Sequence, residues 1–241
     1  MSTRLIFLFI WIVSNFGAWA QVFSEVSSSI GIDHIHTHQY LIGGGLAVLD
    51  YDQDGWPDVY MTGGEASDKL YRNLGNGLFQ DVSLSSALPS MGSNGVAAGD
   101  LDNDGFPDLV IATYRGESDR VLRNNHDGTF TDMFNALGPT NDWGSSVTLG
   151  DINKDGLLDI YVACYVETSA FITDSSGTVT GFAHEGYSNR LYLNQGNWQF
   201  EEDGAWYSVA DQGCALATAF TDFDNDLDMD IFLANDFGEW V

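Results

Sequence analysis

Residues 50–58 read DYDQDGWPD, and the same nine-residue loop returns as DLDNDGFPD at 100–108, DINKDGLLD at 151–159 and DFDNDLDMD at 222–230. Carboxylates recur at loop positions 1, 3, 5 and 9. They are Asp50, Asp52, Asp54 and Asp58, then Asp100, Asp102, Asp104 and Asp108. The third loop has Asp151, Asp155 and Asp159 with Asn153 at position 3, and the fourth has Asp222, Asp224, Asp226 and Asp230. A hard divalent cation takes about six to eight oxygens, which converge only if the backbone turns sharply between them. Glycine at position 6 (Gly55, Gly105, Gly156) permits that turn, because it enters the φ > 0 region at little cost. A backbone carbonyl at position 7, from Trp56, Phe106, Leu157 or Asp228, completes the expected ligand set. Solubility requires acidic residues but no fixed spacing. Four copies of one spacing therefore predict Ca2+ at three well-formed sites and at a fourth, weaker one.

The fourth loop is ranked lowest because Leu227 stands where the others have glycine, and a bulky residue at φ > 0 is strained by about 1 kcal/mol or more. Asn153 keeps an oxygen ligand and loses one charge, a milder change. An EF-hand begins the same way but needs a bidentate glutamate at position 12. Those places hold Met61, Ile111, Val162 and Leu233, and no helical pattern flanks the loops.

Residues 1–20 read as a secretory signal peptide, with Arg4 before the apolar run Leu5 to Val13 and a small-x-small site at Ala18-Trp19-Ala20. The mature chain is expected to start at Gln21, to be secreted, periplasmic or at the cell surface, and to have no membrane span. The whole chain has 8 basic and 35 acidic residues, so removing Arg4 leaves a net charge of −28 with His neutral. Nucleic acid and anionic membrane surfaces are excluded as partners on that ground. Cys164 and Cys214 are the only cysteines, and either one bridge or two buried thiols fits an oxidising compartment.

The first aspartates of the loops lie 50, 51 and 71 residues apart, so the loops are parts of a larger repeat. Each unit reads as four short strands. A small-residue strand enters the acidic loop, and an apolar strand such as DLVIATY leaves it. Two more follow in DKLYRNLGNGLFQDVS, DRVLRNNHDGTFTDM and NRLYLNQGNWQFEE, around tight Gly- and Asn-rich turns. Four antiparallel strands per unit of about 40–50 residues predict an all-β fold, a β-propeller of four-stranded blades. Small residues at Gly43–Gly45, Ala97, Ala98, Ser145, Ser146, Ala215 and Ala217 mark where first strands crowd at an axis. Phe79, Phe130 and Phe200 fill the wider space between blades. The expected division is a leader at 21–44 and blades at about 45–96, 97–145, 146–213 and 214–241. The last is partial, so the propeller is expected to be incomplete in this chain.

These loops, with the LYRN.G.G.F.DV hairpins, resemble FG-GAP or VCBS-type repeats, the calcium-binding blades also used by integrin alpha subunits. The opening FSEVSSSIGIDHIH…GGGLAVLDYDQDGWPDVYMTGG, the NRLYLNQG stretch and the LANDFGE ending resemble the ASPIC/UnbV group, which includes the cartilage acidic proteins. The resemblance runs from Phe23 to Glu239 and implies further blades and a C-terminal domain.

Antiparallel order places the acidic loops and the third-to-fourth strand turns at one end of each blade. The insertion from Val166 to Ser188, with Phe171, Phe182, His184 and Tyr187, lies at the other and reads either as a binding loop or as a tolerated, disordered insertion. His34, His36 and His38 form H-x-H-x-H, either a transition-metal face or a leader approaching the first blade. His126 reads as exposed. No free acid–base pair or nucleophile is visible, so the expected function is a protein or glycan binding or adhesion module with structural calcium. The second reading is the propeller part of a polysaccharide lyase or another extracellular enzyme. The mature chain has two lysines, Lys69 and Lys154, few bases for that chemistry.

Overall fold

Side chains alternate across a strand, and that alternation explains how the blades pack. The computed structural model describes residues 24–38, 43–114, 116–205 and 207–236. The signal peptide at 1–20, the mature start at Gln21 and the residues Gln39 and Tyr40 lie outside the described residues. After a short helix α1 (Ser27–Ile30), the chain is all β. β1 (Leu46–Leu49), β2 (Asp58–Met61), β3 (Lys69–Asn73) and β4 (Phe79–Asp81) form one antiparallel sheet in sequence order. β5 (Ser93–Gly99), β6 (Asp108–Thr113), β7 (Arg120–Asn124) and β8 (Phe130–Asp132) form a second.

The third sheet is β9 (Gly144–Gly150), β10 (Asp159–Cys164), β13 (Arg190–Asn194) and β14 (Phe200–Glu202). Between β10 and β13 the insertion folds as a separate antiparallel hairpin, β11 (Val166–Thr173) with β12 (Val179–Gly186). β15 (Ala215–Thr221) then pairs with β16 (Asp230–Asn235). Three sheets are thus complete propeller-type blades, and β15–β16 repeats the inner two strands of the pattern. Among the described residues no helix is long and apolar enough to cross a membrane.

The second blade is a sandwich filling. Leu109 and Ile111 on one face of β6 pack with Ala47, Leu49, Tyr60 and Leu70 of the first blade. Val110 and Ala112 on the other face pack with Val147, Ile160 and Val162 of the third. All six β6 residues are buried, as a strand covered on both faces requires, so each large aliphatic side chain contributes about 1.5–3 kcal/mol. Tyr161, Leu191 and Leu193 of the third blade meet Phe220, Ile231 and Leu233 of the β15–β16 pair.

First strands crowd where the small residues fall. A Cβ at Gly45 would lie 2.7 Å from the Asn94 carbonyl oxygen, and one at Gly95 would lie 2.7 Å from the Ser146 Cα. Bulk is excluded there because neighbouring backbones touch. Cys164 and Cys214 are both buried free thiols, so of the two alternatives the structure holds the unbridged one. Burial pushes the Cys164 thiol up to about 12.

Candidate metal centres

Each acidic loop connects the first two strands of a blade, and its aspartates first organise the loop's own backbone. The position-1 carboxylate accepts the N–H groups of positions 5 and 6. Asp50 takes Asp54 and Gly55 at 3.1 and 2.9 Å, Asp100 takes Asp104 and Gly105 at 3.0 and 2.8 Å, and Asp151 takes Asp155 and Gly156 at 3.0 and 2.9 Å. Asp222 does the same to Asp226 and Leu227, both at 3.1 Å. The position-5 carboxylates of Asp54, Asp104, Asp155 and Asp226 each accept the position-7 N–H at 2.9 Å. Leu227 has φ +72°, close to the +87°, +94° and +88° of Gly55, Gly105 and Gly156. The fourth loop therefore adopts the common conformation with a leucine in the left-handed region.

Position 9 ties the loop to the sheet. Asp58, Asp108 and Asp159 are almost fully buried. One oxygen of each accepts the N–H of position 2, from Tyr51, Leu101 and Ile152 at 3.2, 3.0 and 3.0 Å. The other accepts the N–H of the asparagine closing the third strand, Asn73, Asn124 and Asn194, at 2.7, 2.9 and 2.8 Å. Burial pushes the Asp58 carboxyl up to about 6 and the Asp108 carboxyl up to about 7, and raises that of Asp159.

Positions 1, 3 and 9 converge as carboxylate triads in three loops: Asp50, Asp52 and Asp58; Asp100, Asp102 and Asp108; Asp222, Asp224 and Asp230. In each triad, one oxygen per residue lies within 4.8 Å of the others. The second triad also has an orphan, since Asp102 Oδ1 is buried with no hydrogen-bond partner. An all-oxygen, anionic cage with an unsatisfied buried oxygen fits a hard cation and not a soft one. The third loop carries Asn153 at position 3, an amide oxygen in place of a carboxylate, and its side-chain amide donates to Asp155 at 2.9 Å.

Asp54, Asp104 and Asp226 stand outside these triads. Arg72 reaches from β3 to Asp52 at 2.6 Å and to Asp54 at 2.9 Å. His126 is not merely exposed: its ring stacks on Phe106 at 4.0 Å and its Nε2 lies 2.6 Å from Asp104 Oδ2. These contacts place the turns between third and fourth strands beside the acidic loops, at the same end of the blades.

Two sets of residues were missed in the sequence reading. Asn73, Asn124 and Asn194 donate their side-chain amides to the position-8 carbonyls of Pro57, Pro107 and Leu158. Asn124 and Asn194 also donate to Tyr51 and Leu101 of the preceding blade, at 2.9 and 2.8 Å. Their signal was the invariable asparagine in YRN, LRN and YLN. The second set is position 4, where Gln53, Asn103, Lys154 and Asn225 all have φ between +55° and +63°. Gln53 reaches the Gly105 carbonyl, Asn103 the Gly156 carbonyl and Lys154 the Asp228 carboxylate, so each loop touches the next.

The histidine triplet belongs to packing. His34 Nε2 and His36 Nδ1 both lie against the Thr62 carbonyl, at 2.9 and 3.1 Å, while Thr37 bridges Gly64 and His38 lies 5.6 Å from the Trp143 ring. The leader thus lies against the first blade. Among the described residues the groups that converge as metal-binding triads are aspartates.

Comparison with known proteins agrees with this architecture. The model of the FG-GAP-like repeat matches residues 50–111 and again 100–162. Cartilage acidic protein 1 of Mus musculus is 27% identical over 153 residues, covering 58% of this chain and 23% of its own length. Its Homo sapiens counterpart is 28% identical over 154 residues (58% and 22%), and that of Xenopus tropicalis 24% over 156 (61% and 23%). The chain spans less than a quarter of the length of these relatives. A solved Agrocybe aegerita lectin, described as recognising non-reducing terminal N-acetylglucosamine, overlaps 79% of this chain and 42% of its own at 18% identity. Its TM-score is 0.39, too low to carry an argument. Residues 50–162 are therefore FG-GAP-like repeats, folded as propeller-type blades in a chain similar to cartilage acidic protein 1.

Proposed function

We propose that this chain is an exported calcium-binding propeller module that binds an extracellular protein or glycan, with calcium as a structural ion. The carrying observation is the position-9 aspartate, which joins the loop's second residue to the end of the third strand while turning an oxygen toward positions 1 and 3 in loops one and two. Asp50, Asp52, Asp54 and Asp58 with the Trp56 carbonyl form the first proposed set. Asp100, Asp102, Asp104 and Asp108 with Phe106 form the second. Asp151, Asn153, Asp155 and Asp159 with Leu157 form the third, and Asp222, Asp224, Asp226 and Asp230 with Asp228 the fourth. When bound, the ion supplies charge neutralisation at the end of each blade, where carboxylates otherwise repel one another. On this reading the chain performs no chemistry.

Similarity to cartilage acidic protein 1 supports an extracellular adhesion role, and the signal peptide reading supports export. The β11–β12 hairpin is the proposed contact element. It projects from the end opposite the acidic loops, and Phe171 pairs with Phe182 across it at 5.6 Å between ring centroids while remaining 71% exposed. Solvent-facing aromatics on a rigid scaffold suit recognition. Glycan and matrix-protein arrays probed with the chain in calcium and in EGTA test the reading. Calcium-dependent retention that falls in Phe171→Ser is expected, and equal retention on every surface would count against it.

A further inference from the structure

Arg72 and Arg123 occupy equivalent places, since β3 and β4 pair Arg72 with Gln80 and β7 and β8 pair Arg123 with Thr131. The equivalent place in the third blade, paired with Glu201, is Leu193. Arg72 contacts the position-3 carboxylate of Asp52 at 2.6 Å, and Arg123 lies 3.8 Å from that of Asp102. Where the arginine is replaced by Leu193, position 3 is the neutral Asn153. Both members of the pair change together.

We infer that Arg72 and Arg123 set the charge of the first two cages, and that the third reaches the same charge by giving up both the carboxylate and its arginine. The inference rests on the metal reading above. Four aspartates and one guanidinium give loop one a formal charge of −3, and loop two has the same composition. Asp151, Asp155 and Asp159 give loop three −3 with no arginine, and Lys154 of that loop pairs with Asp228 of the next. A guanidinium never deprotonates, so its charge is a fixed subtraction from the field that a cation meets. It also balances Asp52 and Asp54 when no cation is bound. Leu193 needs no counter-charge and packs with Tyr161 and Leu191 instead.

Terbium titration with calcium competition, at low ionic strength, tests this in the whole chain. Trp56 stands in loop one, so the sensitised emission that Trp56→Phe removes belongs to that loop. Arg72→Leu is expected to raise the loop-one affinity about three- to tenfold, an effect that shrinks in high salt. Asp52→Asn is expected to lower it about tenfold. Combining them, which copies the third loop, should return the affinity to within about twofold of the unmodified chain. A lowered or unchanged affinity in Arg72→Leu, or a combined variant no closer to the original than Asp52→Asn, overturns the inference. Melting in EGTA shows whether each variant is folded. Asn153→Asp, at an exposed position, gives an independent arm, with calcium binding expected to tighten and overall weakening counting against the idea. If the unmodified chain gives no saturable Trp56-dependent signal and calcium competes with nothing, the metal reading falls and takes this inference with it.

Discussion

Asn124 donates its side-chain amide to the carbonyl oxygen of Tyr51, 73 residues earlier in the chain, at 2.9 Å. The same amide reaches the Pro107 carbonyl of its own loop, and its Oδ1 accepts the N–H of His126. One buried side chain thereby joins two blades and two loops. Asn124→Ala leaves buried carbonyls unpaired and is expected to cost about 2–4 kcal/mol, read as a lower urea midpoint in chelator. The neighbouring exposed Asn125→Ala should stay within about 0.5 kcal/mol, and equal effects would contradict the bridging role.

The Arg190 guanidinium is buried against Asp119 at 2.6 Å and Asp142 at 3.0 Å, joining the second and third blades at the end away from the acidic loops. Arg190→Met strands the fully buried Asp119 charge, an expected loss of about 3–5 kcal/mol in chemical unfolding. Asp119→Asn in the same background should recover part of that loss. No recovery would mean that packing, not the unpaired charge, dominates.

Leu227 occupies a conformation that costs a leucine about 1–2 kcal/mol more than glycine. It is 82% exposed, so little packing is lost on removal. Leu227→Gly is expected to raise the melting temperature slightly or leave it level, while Gly105→Leu lowers it. The asymmetry between these two, measured by calorimetry in calcium, is the observable; a clear loss in Leu227→Gly would show that the leucine holds something else.

Burial raises Asp58 to about 6 and Asp108 to about 7, above the ordinary 3.8, so the folded metal-free chain takes up protons that the unfolded chain does not. That stabilisation is complete below pH 3.8 and is lost as pH rises through about 6 to 7. Calcium requires the ionised form, so its stabilisation runs the opposite way and grows over the same window. The difference between melting temperatures in calcium and in EGTA should shrink on going from pH 8 to pH 5.5. A difference independent of pH would place the bound ion elsewhere.

Much of the architecture was legible because it is local and repeated. Turn residues, the apolar run DLVIAT, alternation around the YRN hairpin and glycine at position 6 act within a few residues of one another. The contacts between blades were not legible. Whether Gln53 reaches Gly105, or Asn194 reaches Leu101, depends on how segments about 50 or more residues apart are set against each other. The left-handed position 4 escaped notice because its residue types, Gln, Asn, Lys and Asn, share no single turn signature. The insertion's paired strands were likewise obscured, since its exposed faces lack the apolar alternation that marks a buried sheet. His126 is exposed as its turn predicts, but its contacts were not legible, because only the fold brings Asp104 and Phe106 to it.

The central claim is that the acidic loops are cation cages holding blades together. Melting of the unmodified chain in millimolar calcium and in EGTA tests it most directly, with Asp102→Ala as the control. The account predicts a melting temperature several degrees higher in calcium, equivalent to about 1–3 kcal/mol, and a smaller difference in the variant. Identical melting curves in calcium and in chelator would contradict it.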